Sequence, residues 1–211
     1  MTLHRLVSFL GGLAMAYASS GDARAASAQT YVLDPVHTQV VFFADHLGFS
    51  HGIGRLRIQS GWFQFDAQDW TTARADVVID MTSLDMGDGA WTEKVRSAQF
   101  LDAAQWPSAR FIGNALEKTS DDSGILHGEL WLRGIHREVD LQVTFNRAGG
   151  DPYAFKTKAG FTATGHLDRF DFGMKTYRDV VGASVELRIE VEGIRTGKNP
   201  KEMKAHAIEK Q

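Results

Sequence analysis

The chain has 211 residues, of which 43% are hydrophobic and 23% charged, and this composition is typical of a folded globular protein. Its formal net charge is -3 and it has no basic stripe, so we predict no nucleic-acid partner. The absence of cysteine excludes a disulfide framework, a thiolate metal site and a cysteine nucleophile.

Residues 1–28 differ from the rest of the chain. Arg5 precedes an apolar run from Leu6 to Ala18, and two small-x-small sites follow, Ala23-Arg24-Ala25 and Ala26-Ser27-Ala28. This pattern is typical of a secretory signal peptide, and the apolar run is too short to span a bilayer comfortably. We therefore predict a signal peptide that is cleaved at one of the two sites. The alternative is an N-terminal anchor that stays attached.

Several segments place an apolar residue at every second position, as strands with one buried face do. The clearest segment alternates Val185, Leu187, Ile189 and Val191 with charged residues. Seven further segments, together with this one, predict about eight strands. These segments are Val40 to His46, Phe63 to Phe65, Ala75 to Met81, Arg110 to Leu116, Leu126 to Leu132, Val139 to Phe145 and Ala159 to Ala163.

One segment has the helical rather than the strand period. Asp88 can serve as an N-cap, and Trp91, Val95 and Ala98 follow at spacings of three or four. We predict a helix over 88–102, which ends before the Trp-Pro pair at 106–107.

Turn residues separate the strand segments, and the run from Asn146 to Pro152 is interpreted as a hairpin connection. After Arg195 the chain becomes polar, so we divide it into a domain over 29–195 and a polar tail over 196–211.

About eight antiparallel strands must cover their edges, and closing the sheet into a barrel is one solution. We therefore predict an all-β protein, a single antiparallel barrel with a short helix near one end. Small residues beside large ones on the inward faces would leave an apolar lumen. A β-sandwich with a solid core fits the same alternation. The strand from Val185 to Val191 could pair inside the barrel or across a homodimer.

Short motifs follow one another in a fixed order from Tyr31 to about Gly193. They are Tyr31 to Thr38, Phe42, His46 to Ser50, Gly54, Ser83 to Asp88, Phe100 to Asp102, Trp106 to Phe111, Gly128 to Gly134, Arg137 to Val139, Arg169 to Gly173 and Val180 to Gly182. Each motif is weak alone, but in this order they resemble the YceI-like, polyisoprenoid-binding family.

The resemblance implies a lipocalin-like barrel, export to the periplasm of a Gram-negative bacterium, and a long isoprenoid or similar amphiphile bound inside. One stretch departs from the commoner family pattern. Many members carry Arg-Asp-x-His-Leu where this chain has Trp91-Thr92-Glu93-Lys94-Val95. Contacts to a ligand headgroup inferred from the commoner pattern therefore do not carry over.

Apolar residues on the inward faces are the first candidates for ligand contact, although a lumen wall and a solid core have the same sequence pattern. They are Val40, Phe42, Phe111, Leu130, Leu132, Phe161 and Phe172. His46, at the end of a strand, is a candidate hydrogen-bonding partner for a headgroup. Trp91, Val95 and Phe100 are expected to seal one end of the barrel.

Arg169, Asp171 and Tyr177 cluster before the last strand. The favoured interpretation is a turn held by an Arg169–Asp171 ion pair. The alternative is contact with a polar headgroup at the barrel mouth, and Arg169 is therefore included among the candidate ligand contacts.

His37, His46 and His51 lie close together in sequence, and neutral imidazole is a common metal ligand. No HExxH spacing accompanies them, and residues nine apart on one strand face opposite sides. We therefore predict no metal, cofactor or catalytic residues.

The favoured function is a periplasmic carrier for an isoprenoid, quinone-type or fatty acyl amphiphile that contacts the membrane transiently. The first alternative is a periplasmic enzyme acting on such a lipid, with a metal held by histidines. The second is a structural module with a solid core.

Overall fold

The computed structural model describes residues 28–200 and 202–203, and between residues 29 and 196 it contains nine strands, one α-helix and two short 3-10 helices, Trp70–Thr72 and Arg169–Phe172. The strands are β1 Gln29–Leu33, β2 Gln39–His46, β3 Ser50–Phe65, β4 Arg74–Asp85, β5 Ser108–Lys118, β6 Ser123–Leu132, β7 Ile135–Asp151, β8 Lys156–Asp168 and β9 Val181–Thr196. The helix, α1, is Gly89–Arg96 and lies between β4 and β5.

The sheet closes on itself. From β2 to β9 each strand pairs antiparallel with the next along the chain, and β9 pairs with β2. Eight positions around the barrel are thereby filled, which confirms the predicted all-β barrel over the sandwich alternative. Because β9 is hydrogen-bonded on both sides within the chain, the segment from Val185 to Val191 has no free edge for a partner subunit.

The remaining strand, β1, shares a barrel position with β2. β2 fills only part of that position, and β1 continues it. β1 pairs with the last residues of β3 and β9, the two strands that β2 contacts further along. Between β1 and β2 the chain turns at Asp34, whose N–H donates to the Glu192 carbonyl at 2.8 Å. The buried Thr38 hydroxyl exchanges hydrogen bonds with the Glu192 backbone at 3.0 and 3.1 Å. The sequence pattern did not reveal β1 as a strand.

The helix begins as predicted and ends earlier. The Asp88 carboxylate accepts the Trp91 N–H at 2.8 Å, which satisfies a backbone donor of the first turn. The last helical residue is Arg96, and Ser97 is the C-cap. Turns occupy the rest of the predicted range, with Asp102 in a left-handed conformation.

Other predicted boundaries also move, and β3 begins at Ser50 rather than at Phe63. The hairpin connection predicted over 146–152 is instead strand through Asp151, and the chain turns at 152–155. The Asp151 carboxylate accepts the N–H groups of Tyr153 and Ala154, which fixes that turn. The last strand extends to Thr196, the first residue of the predicted tail.

Glycines on the inward faces make room for aromatic rings rather than for a lumen. A Cβ on Gly54 would lie 2.1 Å from the Phe42 ring, and one on Gly128 would lie 2.5 Å from the Phe111 ring. These two rings fill the space over their glycines, so Gly54 and Gly128 themselves contribute no open volume.

Residues 1–27 of the predicted signal peptide lie outside the described residues, as do Lys201 and residues 204–211 of the predicted tail. Among the residues that the structure does describe, no helix is both long and apolar enough to cross a membrane.

Candidate ligand cavity

The barrel interior contains a cavity of about 420 Å³ at the end covered by α1. We call this end the mouth. The cavity volume lies within the range of ligand pockets in proteins. Most of its wall is aliphatic, aromatic or thioether. The inward residues of β2 and β9 form one side, and Trp91, Val95 and Phe100, which were predicted to seal one end of the barrel, border the cavity at this end.

A second cavity of about 200 Å³ continues towards the opposite end. We call that end the base. Both cavities border the same six side chains, which are Val40, Leu56, Met81, Leu132, Leu167 and Leu187. They are therefore adjoining sections of one interior, a wider one at the mouth and a narrower one at the base.

The candidate ligand contacts from the sequence divide among three places. Val40, Phe42, His46, Leu132 and Arg169 border the wide cavity. Val40 and Leu132 also border the narrow cavity, together with Phe111, Leu130 and Phe161. Phe172 borders neither of them and is fully buried, so its place is in the core beside the cavity.

Other cavity residues were not singled out from the sequence. Leu167 extends the period-two pattern of β8 beyond Ala163, and that extension could have identified it. Met86 lies in a turn, where no periodicity applies. Lys94 lies three residues after Trp91 on α1, and this helical spacing could have indicated a shared face.

The aromatic rings of the base pack against one another. Phe161 lies with ring centroids 5.5 Å from Phe63, 4.9 Å from Phe65 and 5.3 Å from Phe145. Trp70 meets Phe65 edge-on at 5.4 Å. These tilted and edge-to-face arrangements are favourable for aromatic pairs, and they close the base of the interior.

An ionic network lies on the outside of the base. The Lys158 ammonium lies 3.1 Å from Asp151, 3.1 Å from Glu192 and 3.7 Å from Asp34. Hydrogen bonds to Glu192 and Asp151 raise the pKa of Lys158. Burial opposes ionisation of Asp34, but hydrogen bonds from His37 and the Val36 amide leave its pKa below the ordinary value. The network thereby joins β1, β7, β8 and β9.

The three histidines do not converge on one site. His37 lies at the base, with Nδ1 2.7 Å from Asp34 Oδ2, whereas His46 lies at the mouth, at the far end of β2. His51 is exposed on β3 and pairs with Asp45 rather than His46. The His37 ring does approach Asp34 and Glu192, but Lys158 already supplies a positive charge to both carboxylates.

Arg169 is 2% exposed and binds the backbone, so the predicted Arg169–Asp171 ion pair is wrong. Its Nε donates to the Gly182 carbonyl at 2.9 Å and one Nη to the Val181 carbonyl at 2.8 Å. Further bonds go to the carbonyls of 174, 176 and 177. All five N–H groups of the Arg169 side chain therefore have acceptors, and these bonds hold the loop before β9 around the guanidinium.

A closed antiparallel barrel with a continuous apolar interior and polar groups at its mouth is a lipocalin-like protein. The family model described as the YceI-like domain matches residues 31–193. The chain therefore belongs to the YceI-like family, which confirms the resemblance seen in its motifs.

Relatives and solved structures agree with this membership. A UPF0312 protein of Shewanella sp. strain MR-7 is 31% identical over 192 residues, covering 90% of this chain and 97% of the relative. A UPF0312 protein of Vibrio parahaemolyticus is 32% identical over 191 residues, covering 89% and 97%.

Two solved structures share the fold. BcnA of Burkholderia cenocepacia aligns with a TM-score of 0.67 and 20% identity, over 76% of this chain and 98% of that one. A polyisoprenoid-binding domain from Saccharophagus degradans, implicated in plant cell wall breakdown, aligns with a TM-score of 0.56 and 13% identity, over 80% and 99%.

Proposed function

We propose that this protein is a periplasmic carrier that holds the hydrocarbon chain of an isoprenoid or similar amphiphile inside its barrel. The observation that carries this proposal is the continuous apolar interior, about 420 Å³ at the mouth and about 200 Å³ towards the base. The polyisoprenoid-binding domain that shares the fold supports an isoprenoid as the ligand class. Quinone-type and fatty acyl lipids are further candidates, because an apolar wall does not distinguish among hydrocarbon chains.

Burial of a long chain supplies enough free energy for binding. A chain of about 20 carbons gains roughly 16 kcal/mol at about 0.8 kcal/mol per CH₂, before costs. Association and ordering cost on the order of 4–15 kcal/mol. The difference is favourable without any polar contact, so we expect affinity to rise with chain length.

A carrier must take its ligand from a bilayer, and an apolar turn beside the mouth supports this step. In the β2–β3 turn Phe49 is 87% exposed and Leu47 is 49% exposed. The Leu47 N–H donates to Val180, which borders the wide cavity, so the turn lies at the mouth. Exposed apolar side chains in this position can enter the interface of a membrane.

Native mass spectrometry of the purified protein, followed by organic extraction, tests ligand binding. We expect a bound mass that matches a prenyl or acyl chain, and added prenyl lipids should bind to stripped protein. A protein that carries nothing and also ignores added prenyl, quinone and fatty acyl lipids contradicts the proposal.

Uptake of lipid from vesicles tests whether the β2–β3 turn contacts the membrane. The double variant Leu47→Ser/Phe49→Ser should slow uptake of a fluorescent prenyl lipid from vesicles about tenfold, while its affinity for dispersed lipid stays unchanged. A matched control is Tyr153→Ser/Phe155→Ser, which removes two aromatic side chains, 93% and 92% exposed, from the turn at the base. Equal uptake by all three proteins would contradict a role of the turn in membrane contact.

Export is tested by expressing the full chain in a Gram-negative host. Protein recovered by osmotic shock should begin after Ala25 or Ala28, as determined by intact mass. Recovery only as uncleaved chain in the cytoplasm would contradict a periplasmic location.

A further inference from the structure

Cationic and aromatic groups meet at the mouth of the wide cavity. The Lys94 ammonium donates to the Tyr177 hydroxyl at 2.8 Å and to the Gln99 side chain, and it lies 4.8 Å from the centroid of the Tyr177 ring. The Tyr177 ring stacks on Phe100 at 6.0 Å, and the Arg169 guanidinium lies 5.8 Å from the Phe100 ring. Lys94, Phe100, Arg169 and Tyr177 all border the cavity, and we call them the mouth cluster.

The two cations of the mouth cluster lack a close counter-ion. Within residues 28–200 and 202–203, no carboxylate oxygen lies within 4.0 Å of Lys94 Nζ or of the Arg169 guanidinium. Buried charges in proteins are usually paired with an opposite charge, and Arg169 is among the most buried residues that the structure describes, whereas Lys94 is exposed at the rim of the cavity. Burial lowers the pKa of Arg169, although the charge of Asp168 partly opposes this effect.

One carboxylate, that of Asp45, also borders the cavity, and within the described part of the chain it makes no ion pair within 4.0 Å with either cation. Both carboxylate oxygens of Asp45 accept the Gly48 N–H, at 3.1 and 3.2 Å, and so hold the β2–β3 turn. His46 carries no negative charge in either of its ordinary protonation states. The base end of the interior also has a cation on its wall, Arg74, beside Thr38 and Gln64, and there the guanidinium donates to the backbone carbonyls of 71 and 73.

We propose that the ligand's headgroup is anionic, a phosphate ester or a carboxylate, and that it is held at the mouth by Lys94. This inference rests on the proposed function, because it assumes a hydrocarbon chain in the interior. Lys94 can exchange its neutral acceptors, Tyr177 and Gln99, for an anionic oxygen and thereby gain a charge-assisted hydrogen bond. Arg169 has no free N–H for the headgroup, so it contributes only the attraction of its charge.

Two lipids with the same chain separate the headgroup from the tail. Geranylgeranyl phosphate and geranylgeraniol share one hydrocarbon chain, and their dissociation constants can be measured by titration calorimetry on the stripped protein. We expect the phosphate to bind about tenfold more tightly than the alcohol at low salt, and the difference to shrink as ionic strength rises. Inorganic phosphate alone should show no measurable binding, because it gains nothing from the apolar interior.

Variants at Lys94 identify the contact. Lys94→Gln should abolish most of the preference for the phosphate and leave the affinity for the alcohol unchanged, whereas Lys94→Arg should retain the preference. The matched control is Lys175→Gln, which removes the same charge from an exposed lysine that does not border the cavity. That variant should behave as the unaltered protein.

Equal affinity of the unaltered protein for phosphate and alcohol would overturn the inference while leaving the carrier function standing. Lys94-dependent binding of inorganic phosphate as tight as that of the lipid would also overturn it, since the site would then recognise the free anion. Failure of both lipids to bind would instead contradict the proposed function itself.

Discussion

The two ends of the barrel are built from the same eight strand positions and differ in what fills them. At the base, rings of Phe63, Phe65, Phe145 and Phe161 pack together, and the Lys158 network joins the strands outside. At the mouth, a short helix covers a wider cavity, and Lys94 makes hydrogen bonds only to neutral groups there. We therefore expect truncations at the base to affect stability most and changes at the mouth to affect ligand binding most.

The largest expected effect on stability comes from truncating one phenylalanine at each end of the barrel. Phe161→Ala removes a ring that contacts three others, so we expect a loss of about 3–5 kcal/mol in the free energy of unfolding. Phe42→Ala should cost about 1–2 kcal/mol, because its ring is only partly buried and borders the wider cavity. Urea denaturation of both variants measures the difference, and equal losses would contradict the division of roles.

Arg169 is the exception at the mouth, a residue that borders the cavity and yet serves the fold. Arg169→Gln leaves several buried carbonyls without donors, and we expect a loss of about 3 kcal/mol in the free energy of unfolding. The control is Arg178→Gln, because Arg178 also stacks on Phe170 but is exposed. The control should change stability by less than about 0.5 kcal/mol. A mild effect of Arg169→Gln in thermal and urea denaturation would show that water or neighbouring donors replace the guanidinium.

Filling the wide cavity should affect binding more than stability. Ala44 borders that cavity, and Ala44→Phe would place a ring where the ligand chain lies, so we expect at least a tenfold loss of prenyl-lipid affinity, about 1.4 kcal/mol. Val41 lies on the same strand and pairs with Arg55 and Arg188. Its position is outside the cavity lining, and Val41→Phe should leave affinity unchanged. If both variants bind lipid normally in titration calorimetry, the ligand occupies another part of the protein.

The smallest expected effect concerns the ionic network at the base. Hydrogen bonds from the Ala154 and Tyr153 amides, and then from Lys158, lower the pKa of Asp151 from 3.8 to about 2. Ionised Asp151 therefore stabilises the folded state above pH 4, and this contribution is lost as the pH falls from about 4 to about 2. Asp151→Asn should flatten that part of the stability profile, whereas Asp121→Asn in an exposed turn should not. Identical acid denaturation curves for Asp151→Asn and the unaltered protein would contradict this assignment.

The period-two alternation of apolar residues alone predicted most of the barrel strands, because the physical cause of that alternation is local. Alternate side chains of a strand point to opposite faces, so Val185, Leu187, Ile189 and Val191 indicated an inward face before any partner strand was known. The cap at Asp88 was equally local, since its carboxylate binds an N–H three residues away. β1 was missed because five residues offer too little alternation, and the strand is defined by its pairing with β3 and β9.

Local patterns in the amino-acid sequence were enough to predict the class of fold, the candidate inward faces and the family. The tertiary structure decided which of those faces border open volume. Phe42, Phe111 and Phe172 have the same side chain, yet the first borders the wide cavity, the second the narrow one and the third neither. It also decided the partners of Arg169, whose acceptors lie on a loop that only the closed barrel brings around it. Cavities and buried charges depend on residues distant in the chain, and no local pattern specifies them.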